Sequence, residues 1–249
     1  STLSPSSAAS DVYKRQYLGI VIDFSKVVKW LPTFWQGTIV TVALAIMTVI
    51  IGSLIGLLAT IMKQSSFAPL RWLAKAYTQV VRGTPLLLQL FMWLYGFPII
   101  RISIPPIPLL GDVFGSREFL TAVVALSINS GAYICELLRG GLESIDKGQM
   151  EAGRSLGLSR WQTMKAIIIP QAVRVVLPGL GNEFIMMIKE SSIVSVVGVF
   201  DVMYTYNIVK ASTYSIFEPL IVVGIIYFLL TAGLTSLMSM LEKRMHVYD

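Results

Sequence analysis

Thr38–Met62 reads TIVTVALAIMTVIIGSLIGLLATIM without one charged residue, and Lys63 closes it. About 20 mostly apolar residues are needed to cross the roughly 30 Å of bilayer hydrocarbon, so this stretch predicts a membrane-spanning helix. Thr41, Ala45, Thr48, Gly52, Gly56 and Ala59 recur along it every three or four residues. That spacing puts them on one helix face. Gly52 and Gly56 form a small-residue pair that lets a second helix approach closely.

The rest of the chain agrees with a bilayer as its solvent. Of 249 residues, 55% are hydrophobic and 14% charged, and the mean hydropathy is +0.71. Soluble domains carry about 25% charged residues, so a single soluble core would not hide this much apolar surface. One cysteine, Cys135, and one histidine, His246, exclude a disulfide framework, a cysteine or histidine metal site and a buried Ser/His/Asp set. No catalytic residue and no metal-ligand set is therefore expected. The net charge of +6 is read first as membrane topology, not nucleic-acid binding.

Further spans are predicted at about 84–100, 119–138, 172–197 and 219–241, which with 38–62 makes five. Residues 1–16 are Ser-rich and polar and read as a disordered tail, non-native in origin. Residues 17–249 form a single membrane domain. A short amphipathic piece is expected near Val202–Tyr214, and no internal or inverted repeat is visible. Lys63, Arg71, Lys75 and Arg82 precede the second span. Arg139, Lys147, Arg154, Arg160, Lys165 and Arg174 lie between the third and fourth, and Lys243 and Arg244 follow the fifth. These segments share one side of a five-span arrangement, and Lys/Arg excess marks the cytoplasmic side. The N-terminus is then outside and the C-terminus cytoplasmic, although Lys26 and Lys29 before the first span run against the bias.

The polar loop 139–170 contains Gly148–Pro170, GQMEAGRSLGLSRWQTMKAIIIP. Its apolar residues are too sparse to span a membrane and suit a helix pair lying at the surface. Gly157 is placed to cap the first helix with left-handed backbone angles, and Ser159 to cap the second.

This segment resembles the EAA loop of ABC-importer permeases: Glu-Ala-Ala, three residues, Gly, nine residues, Ile-x-Leu-Pro. Here Gly153 replaces the second alanine and Ile169 the leucine. Arg82-Gly83-Thr84-Pro85 with Gln89 and Tyr95-Gly96 is similar to the second span of the polar amino acid branch, whose cargoes are of the His, Glu, Gln, Arg and cystine type. Asn129-Ser130-Gly131-Ala132-Tyr133 with Glu136 and Arg139-Gly140-Gly141 is similar to its third span, and Asn182-Glu183-Phe184-Ile185 with Lys189 to its fourth. The resemblance covers about residues 34–242. It implies an all-α, five-span type I importer permease in a bacterial inner membrane. Glu151, Ala152, Gly153 and Gly157 would then couple it to a cytoplasmic ABC ATPase dimer. It also implies a second permease copy or paralogue and an extracytoplasmic solute-binding protein, besides membrane lipid. No Walker A pattern occurs in the chain, so ATP and Mg belong to the partner, and no cofactor is expected here.

Charges inside a span are costly and usually face a cavity or a partner. Asn129, Tyr133 and Glu136 form one stripe in the third span; Asn182 and Lys189 share a face of the fourth, with Glu183 beside it. Two readings stand. The stripes line a translocation pathway, or Glu136 and Lys189 pair to hold helices together. Pro178, Gly179 and Gly181 make the fourth span the candidate hinge. An ion-coupled secondary transporter would explain the intramembrane charges but not the loop, and an ABC permease for another small solute remains an alternative.

Overall fold

The computed structural model describes residues 23–246. The predicted tail, 1–16, lies outside them. Helix α1, Leu31–Gln64, contains the opening stretch and is the scaffold on which the other spans pack. All six small residues of its predicted face are buried. That face meets α4, Arg117–Glu143, and the two run in the same direction. A Cβ added at Gly52 would sit 3.2 Å from the Ser130 side chain. One at Gly56 would be 2.9 Å from the Gly131 carbonyl. The glycines are thus needed for the closeness of this contact. Thr60 adds a polar clasp, its hydroxyl donating to the carbonyls of Gly56 (2.8 Å) and Cys135 (3.2 Å).

The second span differs from expectation. Its apolar part is α3, Leu86–Ile99, and α2, Ala68–Arg82, precedes it at an angle of 107°. Helix α3 alone rises about 21 Å, short of the hydrocarbon thickness, and the 107° break turns α2 aside instead of extending it. Arg71, Lys75 and Arg82 kept α2 out of a hydropathy reading. Yet α2 buries Ala74 and Thr78, and the Tyr77 hydroxyl donates to the Ile128 carbonyl of α4 at 2.6 Å. Gly83-Thr84-Pro85 makes the break, because proline supplies no backbone donor there. Gln89 repairs it: its amide nitrogen donates to the Val81 carbonyl (2.7 Å) and to the carbonyl and hydroxyl of Thr84 (3.1 and 2.9 Å).

After α4 comes the short helix α5, Lys147–Ser155, and then α6, Arg160–Val197. The expected pair of surface helices is therefore half right. Helix α5 stands alone, but the second helix is the first turns of a span rising about 57 Å, well beyond one bilayer core. The chain ends through α7, Val202–Thr213, and α8, Phe217–His246.

Two apolar clusters close the end of the bundle away from α5. One gathers Val40 and Leu44 of α1 with Leu90, Phe119, Leu126 and Val194. The other gathers Phe34, Val202, Tyr206, Val209 and Val223. Asp201, fully buried, joins three helices here. It caps α7 by accepting from the Tyr204 backbone N–H at 2.7 Å and accepts from the Tyr227 hydroxyl of α8 at 3.4 Å. Its carbonyl lies 2.9 Å from where a Gly37 Cβ would be. Burial pushes its carboxyl up from 3.8 to about 7.

Candidate functional site

The α5–α6 hairpin is fixed by local sequence. Asp146 caps α5, its carboxylate accepting from the Gly148 N–H at 2.6 Å. Gly157 takes φ +84° and turns the chain, while the Leu158 N–H reaches back to the Gly153 carbonyl at 3.1 Å. These are the bonds of a glycine-terminated helix. Ser159 and Gln162 then form a reciprocal capping box on α6. Gly153 is buried where the two helices cross, and a Cβ there would lie 2.5 Å from the Thr163 methyl. The departure from Glu-Ala-Ala therefore has a steric cause: Thr163 occupies the space of the missing methyl group.

Glu151 and Ala152 lie on the opposite, solvent side of α5 and are exposed. Beside them Leu156 is 81% and Trp161 69% exposed. Glu151, Ala152 and Leu156 thus share the exposed side of α5, while Trp161 lines an apolar cavity with Leu57 and Ile61 of α1 and Leu138 of α4. The exposed side of α5 suits insertion into a groove with a basic lining.

The predicted intramembrane residues separate into three places. Asn129 is buried, its amide donating to the Gln89 Oε1 at 3.0 Å, so it supports the repair of the α2–α3 break. Ser130, its neighbour, donates to Glu183 of α6 at 2.7 Å, which ties α4 to α6 at mid-span. Asn182 and Lys189 remain exposed on α6, as their shared face predicts. A polar face of a membrane helix needs cover by protein or water.

Glu136 does not pair with Lys189. It accepts from Lys63 of α1 on one oxygen and from Arg139 at 2.9 Å on the other, and Arg139 also donates to Glu143 at 2.5 Å. The alternative reading, a Glu136–Lys189 pair, is not met because α6 meets α4 through Ser130, Leu137 and Gly141, one helix face away from Glu136. The chain Lys63–Glu136–Arg139–Glu143 runs instead down the last turns of α4 toward the cap of α5.

Glu136 and Tyr133 face a cavity of about 600 Å³ that Lys63, Lys75, Gln79 and Arg82 also line. The Arg82 guanidinium stands 5.3 Å from the Tyr133 ring centroid, a cation–π distance. The sequence reading missed Lys75, Gln79, Arg82 and Gln89 as members of any site. For Lys75 and Arg82 the available signal was a pair of basic residues seven apart on one helix face, next to an apolar segment.

Pro178, Gly179 and Gly181 sit inside an unbroken stretch of α6, Ile169–Glu190. Gly179 makes room for Leu137 of α4 and Gly181 for Met238 of α8. Among the described residues, the sharp break between two span helices lies at Gly83-Thr84-Pro85.

A family model described as binding-protein-dependent transport system inner membrane component matches residues 52–247. The arginine transport system permease protein ArtQ of Bacillus subtilis (strain 168) is 40% identical, across 92% of this chain and 99% of that protein. The putative glutamine transport system permease protein GlnP of Rickettsia typhi is 39% identical, across 85% and 92%. The glutamate/aspartate import permease protein GltK of Escherichia coli O6:H1 is 34% identical, across 89% and 97%. Among solved structures, an amino acid ABC transporter crystallised with histidines superposes with a TM-score of 0.83 at 42% identity, covering 90% of this chain and all of that one. The methionine ABC transporter MetNI, inward facing, gives a TM-score of 0.63 at 17% identity, covering 85% and 97%; it shares the fold.

Proposed function

This chain belongs to the family of binding-protein-dependent transport system inner membrane components, a transport subunit with the type I importer permease fold, and we propose that it carries polar amino acids under the drive of a separate ATPase. The observation that carries the proposal is the α5–α6 hairpin, which presents Glu151, Ala152 and Leu156 to solvent on α5. Helix α5 docks in a groove of a cytoplasmic ABC ATPase, one of a dimer that holds ATP and Mg. Gly153 and Gly157 keep the hairpin in shape. Because the second helix of the hairpin is continuous with α6, a push on α5 moves a whole span.

Five spans of this size do not enclose a pathway. The exposed polar face of Asn182 and Lys189 supports pairing with a second permease, identical or related, across a shared pathway to which Tyr133, Glu136 and Glu183 are adjacent. Asn129 holds the neighbouring α2–α3 break, and Gly179 and Gly181 are where α6 slides on Leu137 and Met238. The hairpin and C-terminus face the cytoplasm, where the Lys/Arg excess lies, and a solute-binding protein delivers cargo at the other side. That arginine, glutamine and glutamate/aspartate permeases all stand at 34–40% identity supports the class of cargo and leaves its side chain open.

Co-purification with an ABC ATPase, followed by ATP-driven uptake of labelled amino acids into proteoliposomes, tests the reading. Uptake that needs ATP and the ATPase supports it. Uptake driven by an ion gradient without ATPase would replace it with secondary transport.

A further inference from the structure

The cavity between α1, α2 and α4 has an unbalanced charge. Lys63, Lys75 and Arg82 line it against Glu136 alone. Lys63 is held by Glu136. Among the described residues, Lys75 and Arg82 make no ion pair with a carboxylate. Arg82 lies beside Tyr133, about 15 Å of helix rise inward from the Glu143 end of α4. Both side chains are exposed at the cavity, so an anion entering it meets two cations that no carboxylate of the described residues neutralises.

We propose that Lys75 and Arg82 form a binding site for the α-carboxylate of the transported amino acid, in the cavity between α1, α2 and α4. The inference rests on the cargo reading above and deepens it. A guanidinium presents paired N–H groups that match a carboxylate, and Lys75 adds a point charge. The Gln79 amide is a further donor. Glu136 uses one bond on each oxygen and a carboxylate accepts about four, so it can also receive the substrate ammonium. About 600 Å³ leaves room for a side chain, and no lining residue selects one. The site therefore recognises what all amino acids share. It sits where α2 breaks from α3, so an occupant there touches the most sharply bent element of the fold.

The test uses the permease–ATPase complex in nanodiscs, without binding protein, titrated with labelled arginine, glutamine and glutamate, each competed by its α-carboxamide. The wild type is expected to prefer the free acid by about tenfold or more, the value of a charge-assisted hydrogen bond. R82Q and K75Q should bring that preference toward unity, and R82K should keep most of it. Thermal unfolding of each variant separates loss of the site from loss of the fold. An unchanged acid-to-amide ratio in R82Q and K75Q, or no saturable binding by the wild type, overturns the assignment. So does release of phosphatidylglycerol by R82Q with the ratio unchanged, which would place a lipid phosphate in the cavity. Proteoliposome uptake distinguishes the failures. If the wild type imports none of the three amino acids, the cargo reading falls and this site falls with it; if it imports one, only the site is lost.

Discussion

Asp201→Asn should make the protein more stable at neutral pH and flatten its pH dependence. Asp201 is fully buried at the junction of α1, α7 and α8, and burial pushes its carboxyl up from 3.8 to about 7. The folded state then binds a proton that the unfolded chain releases between those two values. Stability is fully present below the lower value and is lost as pH rises through the higher one. From about pH 5 to about pH 7 each unit costs about 1.36 kcal/mol, close to 3 kcal/mol in all, and the loss is complete above that. Asparagine retains the helix cap, since Asn and Asp are equivalent there, but carries no charge to desolvate. Thermal unfolding of the detergent-solubilised protein at about pH 5 and about pH 8 reads the difference. The wild type should lose on the order of 10 °C relative to the variant across that interval. Parallel pH profiles for the two proteins would refute the buried, high-pKa carboxyl.

Three other perturbations address the loop, the ion-pair chain and the helix break. Gly153→Ala drives a methyl group into Thr163 and should destabilise the hairpin by about 1–3 kcal/mol; Gly153→Ala with Thr163→Ala should restore protection of residues 147–163 in hydrogen exchange. Lys63→Ala leaves Glu136, whose side chain is 20% exposed, with Arg139 alone. Because Arg139 still pairs with Glu136, the loss should be about 1–3 kcal/mol, and Lys63→Ala with Glu136→Ala should recover most of the lost melting temperature. Gln89→Leu removes the donor to Val81 and Thr84 and the acceptor for Asn129. Each orphaned buried group costs about 1–3 kcal/mol, so exchange across residues 78–90 should accelerate while that of α1 stays slow.

Much of the fold was legible because two signals were strong. The small-residue face of α1 was readable at a spacing of three and four residues, and each of its members is buried. The hairpin was readable from Gly157 and Ser159, whose backbone roles depend on their neighbours in sequence. What stayed hidden depended on which faces meet. Helix α2 looked like a loop because hydropathy averages its three basic residues with an apolar face that packs on α4. A Glu136–Lys189 pair stayed an open alternative because helical spacing alone does not give the rotation of one span against another. Ser130, between two candidate residues, is the one that reaches Glu183. Gln89 carried no signal as a site residue, since its role arises only from carbonyls freed three-dimensionally by Pro85.

If α5 transmits ATP hydrolysis to the spans, as proposed above, Glu151→Lys should break that link. Glu151 is exposed, so reversing its charge should leave the stability within about 0.5 kcal/mol of wild type. The decisive measurement is the number of amino acids imported per ATP hydrolysed by the complete transporter in proteoliposomes. This ratio should collapse in Glu151→Lys while the spans stay folded. A wild-type ratio in that variant would contradict the coupling role of α5.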